Sequence, residues 1–227
     1  MTPEELKTMA TKLQAYFAPE EVKWKPQGKA YDGKIMCVAY IDARCVIERL
    51  NDMCNLNGWS DSYETLQQGE VRCSLSIKFG TDWITHCDVG SESAQPDQGD
   101  RAKAAHSDAL KRAAVKFGIG LYLYRMKATW APYDGKKVTQ WPTLPTWAFP
   151  PECLPCGKVM GDKIAGLVQQ AAKVSGTPVA EIEDRIKKNA DITGKLEYQR
   201  IELRYARETI QQLGEWINKL AAQSTAK

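Results

Sequence analysis

What this chain has little of narrows its chemistry before any motif is considered. It has two histidines in 227 residues, His86 and His106. They do not sit in an HExxH pair, and no GxxxxGK[ST] loop is present, so neither a zincin centre nor a P-loop nucleotide site is written into the sequence. The missing P-loop also argues against an ATP-driven motor. No apolar run approaches the roughly 18 residues that a membrane-spanning helix needs. The first residues lack the basic, apolar and small-residue succession of a secretion signal. Charge of one sign is also scarce overall: 31 Lys and Arg against 28 Asp and Glu leave a net charge of only +3. Any polyanion partner must therefore be met by a local concentration of cations. Seven cysteines, an odd number scattered through regular segments, read as reduced thiols and not as a disulfide framework. A soluble, cytoplasmic protein is expected. With 43% hydrophobic residues the chain has material for a true core.

The local concentration of cations is found at Arg101–Lys127, with seven Lys and Arg against one Asp. Its first part, RAKAAHSDALKRAAVKFG, is predicted to be a helix with Asp100 as N-cap and Gly118 as the left-handed stop. Ala102, His106, Ala109, Leu110, Ala113 and Phe117 form one apolar stripe at 100° per residue. Four of the six are Ala or His, so close approach to a neighbour is expected. Arg101, Asp108, Arg112 and Lys116 fall on the opposite side, with Lys103 and Lys111 on the flanks and Asp108 placed to pair with Arg112 at (i, i+4). A solvated helix normally mixes signs; this one suggests a phosphate-facing surface.

The rest reads in chain order. Thr2, Pro3 and Glu4-Glu5 start a helix to about Phe17, with Leu6, Met9, Leu13, Tyr16 and Phe17 inward. Lys23-Trp24-Lys25 reads as a short strand, and 28–33 as a loop. Ile35–Ile41 is apolar on both faces, as in a central strand. Asp42 is expected to cap a helix with Ala43, Val46, Ile47, Leu50 and Met53-Cys54 inward. Trp59–Leu66 reads as a strand. Val71–Phe79 alternates cleanly and pairs with Trp83–Val89 through a tight turn. These strands predict an antiparallel, half-exposed sheet, and Leu121–Met126 reads as a further extended piece. The region 131–157 holds six prolines and reads as a Pro/Trp-rich linker. The stretch 158–227 reads as a small helical module: a first helix around Ile164–Ala171, a second from Thr177-Pro178, and a third with a seam of Leu203, Ala206, Ile210, Leu213, Ile217 and Leu220.

Three segments carry a resemblance: YIDARCVIERLNDMCNLNGW (Tyr40–Trp59), the strand ending in Asp88-Val89-Gly90, and ALKRAAVKFGIG (Ala109–Gly120). In this order and spacing they resemble the single-strand annealing proteins of the Rad52 superfamily, in the branch of bacterial DNA damage response proteins and phage recombinases. The resemblance spans 5–130 and leaves 158–227 uncovered. It implies an α+β fold with a curved antiparallel β-sheet packed on a long helix, here a core over 1–130, followed after the linker by the all-helical module. It implies a homo-oligomeric ring or filament and single-stranded DNA in a basic groove, backbone inward and bases outward. No cofactor is implied and no catalysis.

In such proteins a Lys-Arg pair of the long helix contacts the DNA backbone, and that pair matches Lys111 and Arg112. A further basic position one turn on matches Val115, a departure that leaves Lys116 nearby. An Arg at the start of the preceding helix matches Cys45, with Arg44 one position away. The expected DNA-binding set is therefore Lys111, Arg112, Lys103, Lys116, Arg101, Arg44, and, from the exposed strand face, Arg72 and Lys78. Tyr122, Tyr124 and Trp24 are aromatics near this charge that offer either core packing or base stacking. His106 reads as a packed histidine.

Two other functions set themselves against annealing. Pro96-Asp97 with Asp134-Gly135-Lys136 echoes a metal-nuclease motif, but both pieces fall in loops where adjoining strands are needed. The pair Cys153 and Cys156 has zinc spacing but lacks a second pair. The other function is end protection or scaffolding, in which 158–227 recruits a single-strand-binding protein, a polymerase or an exonuclease.

Overall fold

The computed structural model describes residues 1–93 and 97–225. The chain divides into two compact units, Met1–Phe149 and Pro150–Lys227. Each has a core of its own.

The first unit is α+β with antiparallel sheets. Helix α1 (Pro3–Leu13) begins with a reciprocal cap: the Thr2 hydroxyl accepts the Glu5 N–H at 3.2 Å, and the Glu5 carboxylate accepts the Thr2 N–H at 2.7 Å. Its far end is closed from outside. The Arg49 guanidinium donates to the carbonyls of Lys12 (3.1 Å) and Ala15 (2.7 Å) and lies 4.1 Å over the Phe17 ring. The Lys12 carbonyl also accepts the Ala15 N–H at 3.2 Å, and a cation suits that end of the helix dipole. Leu13 and Phe17 are buried, while Leu6, read as inward, is exposed.

Strand β1 (Val22–Tyr31) pairs with β2 (Lys34–Ile41) around Asp32-Gly33. Both turn residues have positive φ, 46° and 65°, the geometry for which Asp-Gly hairpins are favoured. The loop expected over 28–33 is thus largely hairpin. Helix α2 (Ala43–Cys54) follows; Asp42 makes no side-chain cap and instead pairs with Lys23.

Strands β3 (Trp59–Thr65), β4 (Val71–Phe79) and β5 (Asp82–Gly90) form a second sheet with β4 in the middle. Val71, Cys73, Leu75 and Ile77 are buried and alternate with Arg72, Ser74, Ser76 and Lys78 on the outer face. Strand β6 (Thr129–Pro132) returns to pair with β2. The expected antiparallel sheet is thus realised as two three-stranded sheets, β1-β2-β6 and β3-β4-β5.

Helix α3 (Gln98–Val115) is one turn longer at its start than the sequence reading. Asp97 is the N-cap, accepting the Asp100 N–H at 3.0 Å, and Asp100 lies in the first turn. Its end follows expectation: Gly118 N–H bonds Val115 O and Ile119 N–H bonds Ala114 O around a left-handed Gly118, φ 91°. The buried residues are Ala105, Ala109, Leu110, Ala113 and Ala114, while Ala102 is exposed. The stripe is rotated from the predicted one because α3 lies against the end of β5. A Cβ on Gly90 would stand 2.2 Å from Ala109 N and 2.4 Å from Ala105 O. Small residues on one side and no side chain on the other permit that approach.

After α3, Leu121–Arg125 is a short 3₁₀ turn and not an extended piece, because the left-handed Gly120 redirects the chain. The Pro/Trp-rich stretch read as a linker over 131–157 packs for much of its length: Ala131 and Val138 bury against Ile35 and Cys37, and Ala148 joins the main core of the first unit.

The second unit is a helical bundle of α4 (Gly157–Ser175), α5 (Val179–Asn189) and α6 (Leu203–Thr225). Ile164, Val168, Ile182, Ile186, Leu213 and Ile217 fill its core, so much of the α6 seam is consumed within the bundle. Leu203 N–H to Leu154 O and Cys156 N–H to Ile201 O, both 2.8 Å, tie the starts of α4 and α6 together.

Candidate nucleic-acid interface

Three elements of the first unit meet around a groove of about 500 Å³. Strands β1 and β2 supply Lys25 and Tyr40, α3 supplies Asp108, Lys111 and Arg112, and the segment after α3 supplies Tyr124 and Lys127. Val38, Ile119, Leu123 and Met126 form apolar lining. The Tyr40 ring is flanked by two ammonium groups, Lys25 Nζ at 5.8 Å and Lys111 Nζ at 5.6 Å from its centroid. Four cations thus face one carboxylate.

The two central cations are held differently. Lys111 leaves only 24% of its side chain exposed and stands 4.0 Å from Asp108. Burial, with help from the neighbouring Lys25 charge, pulls its pKa below the usual lysine value although Asp108 opposes the shift. Arg112 donates from Nε to Asp88 at 3.0 Å. Its two Nη groups take no partner among the described residues. Asp88 also accepts the Val89 N–H at 2.8 Å and meets Lys116 Nζ at 3.2 Å. Burial works to raise the Asp88 pKa, but these donors outweigh it and hold the carboxyl below its ordinary value. The Asp108–Arg112 pair expected along the helix gives way to this cross-element pair. Asp88 sits at the end of a strand with only 20% of its side chain exposed, where a fixed backbone aims it at the guanidinium.

The other expected contacts are dispersed. Arg101 pairs with Glu92 at 3.3 Å and Lys103 with Asp100 at 3.1 Å, both near the start of α3. Lys116 is tied to Asp88 and donates to the Cys87 carbonyl. Arg72 pairs with Glu64 at 3.0 Å on the outer face of the second sheet, where Lys78 is exposed. Arg44 is exposed at the start of α2. Of the eight, Lys111 and Arg112 line the groove.

The aromatics sort likewise. Tyr122 is buried, stacked on Tyr16 at 4.0 Å, with its hydroxyl accepting the Phe17 N–H at 3.1 Å; it is core. Trp24 packs on the opposite side of its sheet beside Ile35 and Cys37. Tyr124 is 69% exposed and lines the groove. His106 is half-buried, bonded to Ala102 O at 2.9 Å and set against the Tyr63 ring.

Sequence reasoning missed Lys25, Tyr40 and Lys127 as site residues. The charge count over Arg101–Lys127 includes Lys127, and Lys25 falls in the short strand read at Lys23–Lys25, but nothing local to either segment says that β1 faces α3.

Among the described residues the nuclease pieces are engaged in local backbone hydrogen bonds and are not gathered into a ligand cluster. Pro96 lies outside the described residues. Asp97 is committed to capping α3, and Asp134 accepts the N–H groups of Lys136 and Lys137, both at 2.8 Å. Cys156 is turned to the Tyr198 carbonyl at 3.2 Å. Among the described residues the one cluster of potential metal ligands is Glu21, Cys45 and Glu48, and it includes neither of these aspartates nor Cys153 and Cys156.

Comparison with known proteins bears on this geometry. The family described as Rad52/22 family double-strand break repair protein matches residues 5–141. The chain belongs to the Rad52/22 family. The Rad52/22 match lies within the first unit and contains every groove residue. Two relatives, each called single-stranded DNA-binding protein DdrA, come from Deinococcus radiodurans and Deinococcus deserti. Both are 36% identical to this chain, over 150 and 148 residues. The aligned parts are 64% of this chain in both cases and 69% and 72% of the relatives. A fungal member, DNA repair and recombination protein radC of Emericella nidulans, is 29% identical over 135 residues, which is 52% of this chain and 22% of that protein. Among the described residues no helix is long and apolar enough to cross a membrane.

Proposed function

We propose that this Rad52/22 family member binds single-stranded DNA along the Lys25–Tyr40–Lys111–Arg112–Lys127 groove and, as a homo-oligomeric ring or filament, anneals complementary strands in repair or recombination without consuming a nucleotide. The observation that carries the reading is the groove itself. Four cations and an open aromatic face one carboxylate, in the part of the chain that matches the family. Two relatives are named for single-stranded DNA binding. Such a lining neutralises a sugar–phosphate chain and leaves base edges unread, which annealing requires. Lys103, Lys116, Arg101, Arg72, Arg44 and Lys78 are secondary contacts in this reading. Four of them reach phosphate by exchanging an acidic partner, a small cost because exposed ion pairs contribute only about 0–1 kcal/mol.

The test compares wild type with Lys111→Ala/Arg112→Ala in single-strand affinity across a salt series and in annealing without ATP. The double variant is expected to bind roughly a hundredfold more weakly, with the salt slope reduced by about 1.4 for two lost phosphate contacts. Unchanged affinity with an unchanged slope refutes the assignment. The second unit, with its separate core, is the proposed docking module for a single-strand-binding protein or exonuclease. A chain ending at Phe149 should keep DNA binding and lose capture of that partner.

A further inference from the structure

The groove is not the end of the cationic surface. Directly paired residues of an antiparallel sheet share a face, so the register of the first sheet tells which side chains accompany Lys25 and Tyr40. Lys25 pairs with Val38, Tyr31 with Lys34, Lys34 with Pro132, and Met36 with Trp130. Val38, two positions before Tyr40 on the same strand, lines the groove with it. Along β2, where Lys34, Met36, Val38 and Tyr40 share a side, one face of the sheet therefore runs from the groove to the hairpin tip; β1 shifts register between Gln27 and Tyr31, and Tyr31 rejoins this face by pairing with Lys34. The opposite face packs through Ile35, Cys37 and Ala131.

This outer face is unusual for a solvated sheet surface. Its cross-strand pairs contain three lysines, Lys23, Lys25 and Lys34, and no carboxylate. Lys25 and Lys34 make no ion pair among the described residues. Two large aromatics stand open on it, Tyr31 at 78% exposure and Trp130 at 51%. A surface kept only for solubility mixes charge signs and hides its aromatics. Cations interleaved with open rings on an extended face match a single-stranded nucleic acid, whose phosphates meet the lysines and whose bases stack on the rings.

We infer that the outer face of the β1-β2-β6 sheet continues the single-strand path beyond the groove, with Lys34 holding phosphate and Trp130 and Tyr31 stacking bases. This rests on the groove binding DNA. The occupant is single-stranded nucleic acid because the face is continuous with the groove and matches it in charge. A second copy of this chain is the rival occupant.

The experiment uses the full-length protein and oligothymidylates of increasing length at low salt. Wild type should gain affinity with length until both the groove and the face are covered. Lys34→Ala/Trp130→Ala should match wild type on the shortest oligonucleotides and stop gaining at a shorter length, with roughly tenfold weaker binding of long ones. Trp130→Phe, which keeps a stacking ring, should recover most of that loss. Identical length dependence in wild type and variant overturns the inference while leaving the groove intact. A wild type that binds no oligonucleotide refutes the groove reading instead. A variant that loses oligomer mass in sedimentation without DNA assigns the face to a second copy and also overturns the inference. Trp130 and Lys34 are exposed, so a thermal melt matching wild type is expected and confirms that the variant is folded.

Discussion

Replacing Asp88 with alanine sets two effects on DNA binding against each other, and the structure allows their sizes to be compared. The variant removes a negative charge beside a proposed phosphate site. With a phosphate on the Arg112 Nη groups, the Asp88 carboxylate would lie at about 7 Å from it. In a water-like dielectric that repulsion is roughly 0.6 kcal/mol, and physiological salt cuts it by about half. Charge counting alone thus expects slightly tighter binding. The opposing effect is positional. Asp88 takes Arg112 through Nε at 3.0 Å, which fixes the long side chain and leaves both Nη groups for a ligand. Freed of that partner, the arginine regains rotamer freedom that binding must remove again, up to roughly 2 kcal/mol. The positional effect is the larger, so Asp88→Ala should weaken single-strand binding by about 1 kcal/mol, or roughly fivefold. Fluorescence anisotropy with a labelled oligonucleotide reads this directly, and the decisive control is the double-mutant cycle with Arg112→Ala. If Asp88 acts through Arg112, its loss changes little once Arg112 is gone. Tighter binding by Asp88→Ala, or the same loss in both backgrounds, refutes the reasoning.

Two further outcomes follow from the same geometry. Lys111 is charged in a partly buried place beside Lys25, and its pKa is lowered from 10.5, first by burial. A base with a depressed folded pKa is destabilised while charged, so folding stability should rise as pH climbs through the window below 10.5. In Lys111→Met that rise should flatten and the melting temperature at neutral pH should increase by about 2 °C, while DNA affinity falls; a lower melting temperature contradicts the assigned strain. Gly90→Ala would drive a Cβ to 2.2 Å from Ala109 N, backbone that has no rotamer to yield. A loss of about 3 kcal/mol in urea denaturation is expected, and an unchanged midpoint shows that α3 does not lie this close to β5.

Local patterns determined much of the architecture. The alternation of Val71–Phe79, the i, i+3, i+4 spacing of Ala43–Cys54, the Thr2-Pro3 start of α1 and the apolar periods of 158–222 each depend on residues a few positions apart, and each stands in the structure where the pattern placed it. The family resemblance, carried by three contiguous segments, was legible for the same reason. The Asp32-Gly33 hairpin was also local, and reading its glycine-rich surroundings as a loop passed over a turn signal that was present.

The site was decided elsewhere. Periodicity says which residues share a face of α3 but not what that face meets, and the true stripe is rotated because Gly90 opens a place for Ala105 and Ala109. Helical spacing offered Arg112 a partner in Asp108, but Asp88, 24 residues away and fixed at a strand end, has the better geometry. Tyr40 between Lys25 and Lys111 joins the β1-β2 hairpin to a helix far along the chain. Charge is a property of each residue and can be counted along a sequence. A groove depends on distances between elements, and those are set only when the cores pack.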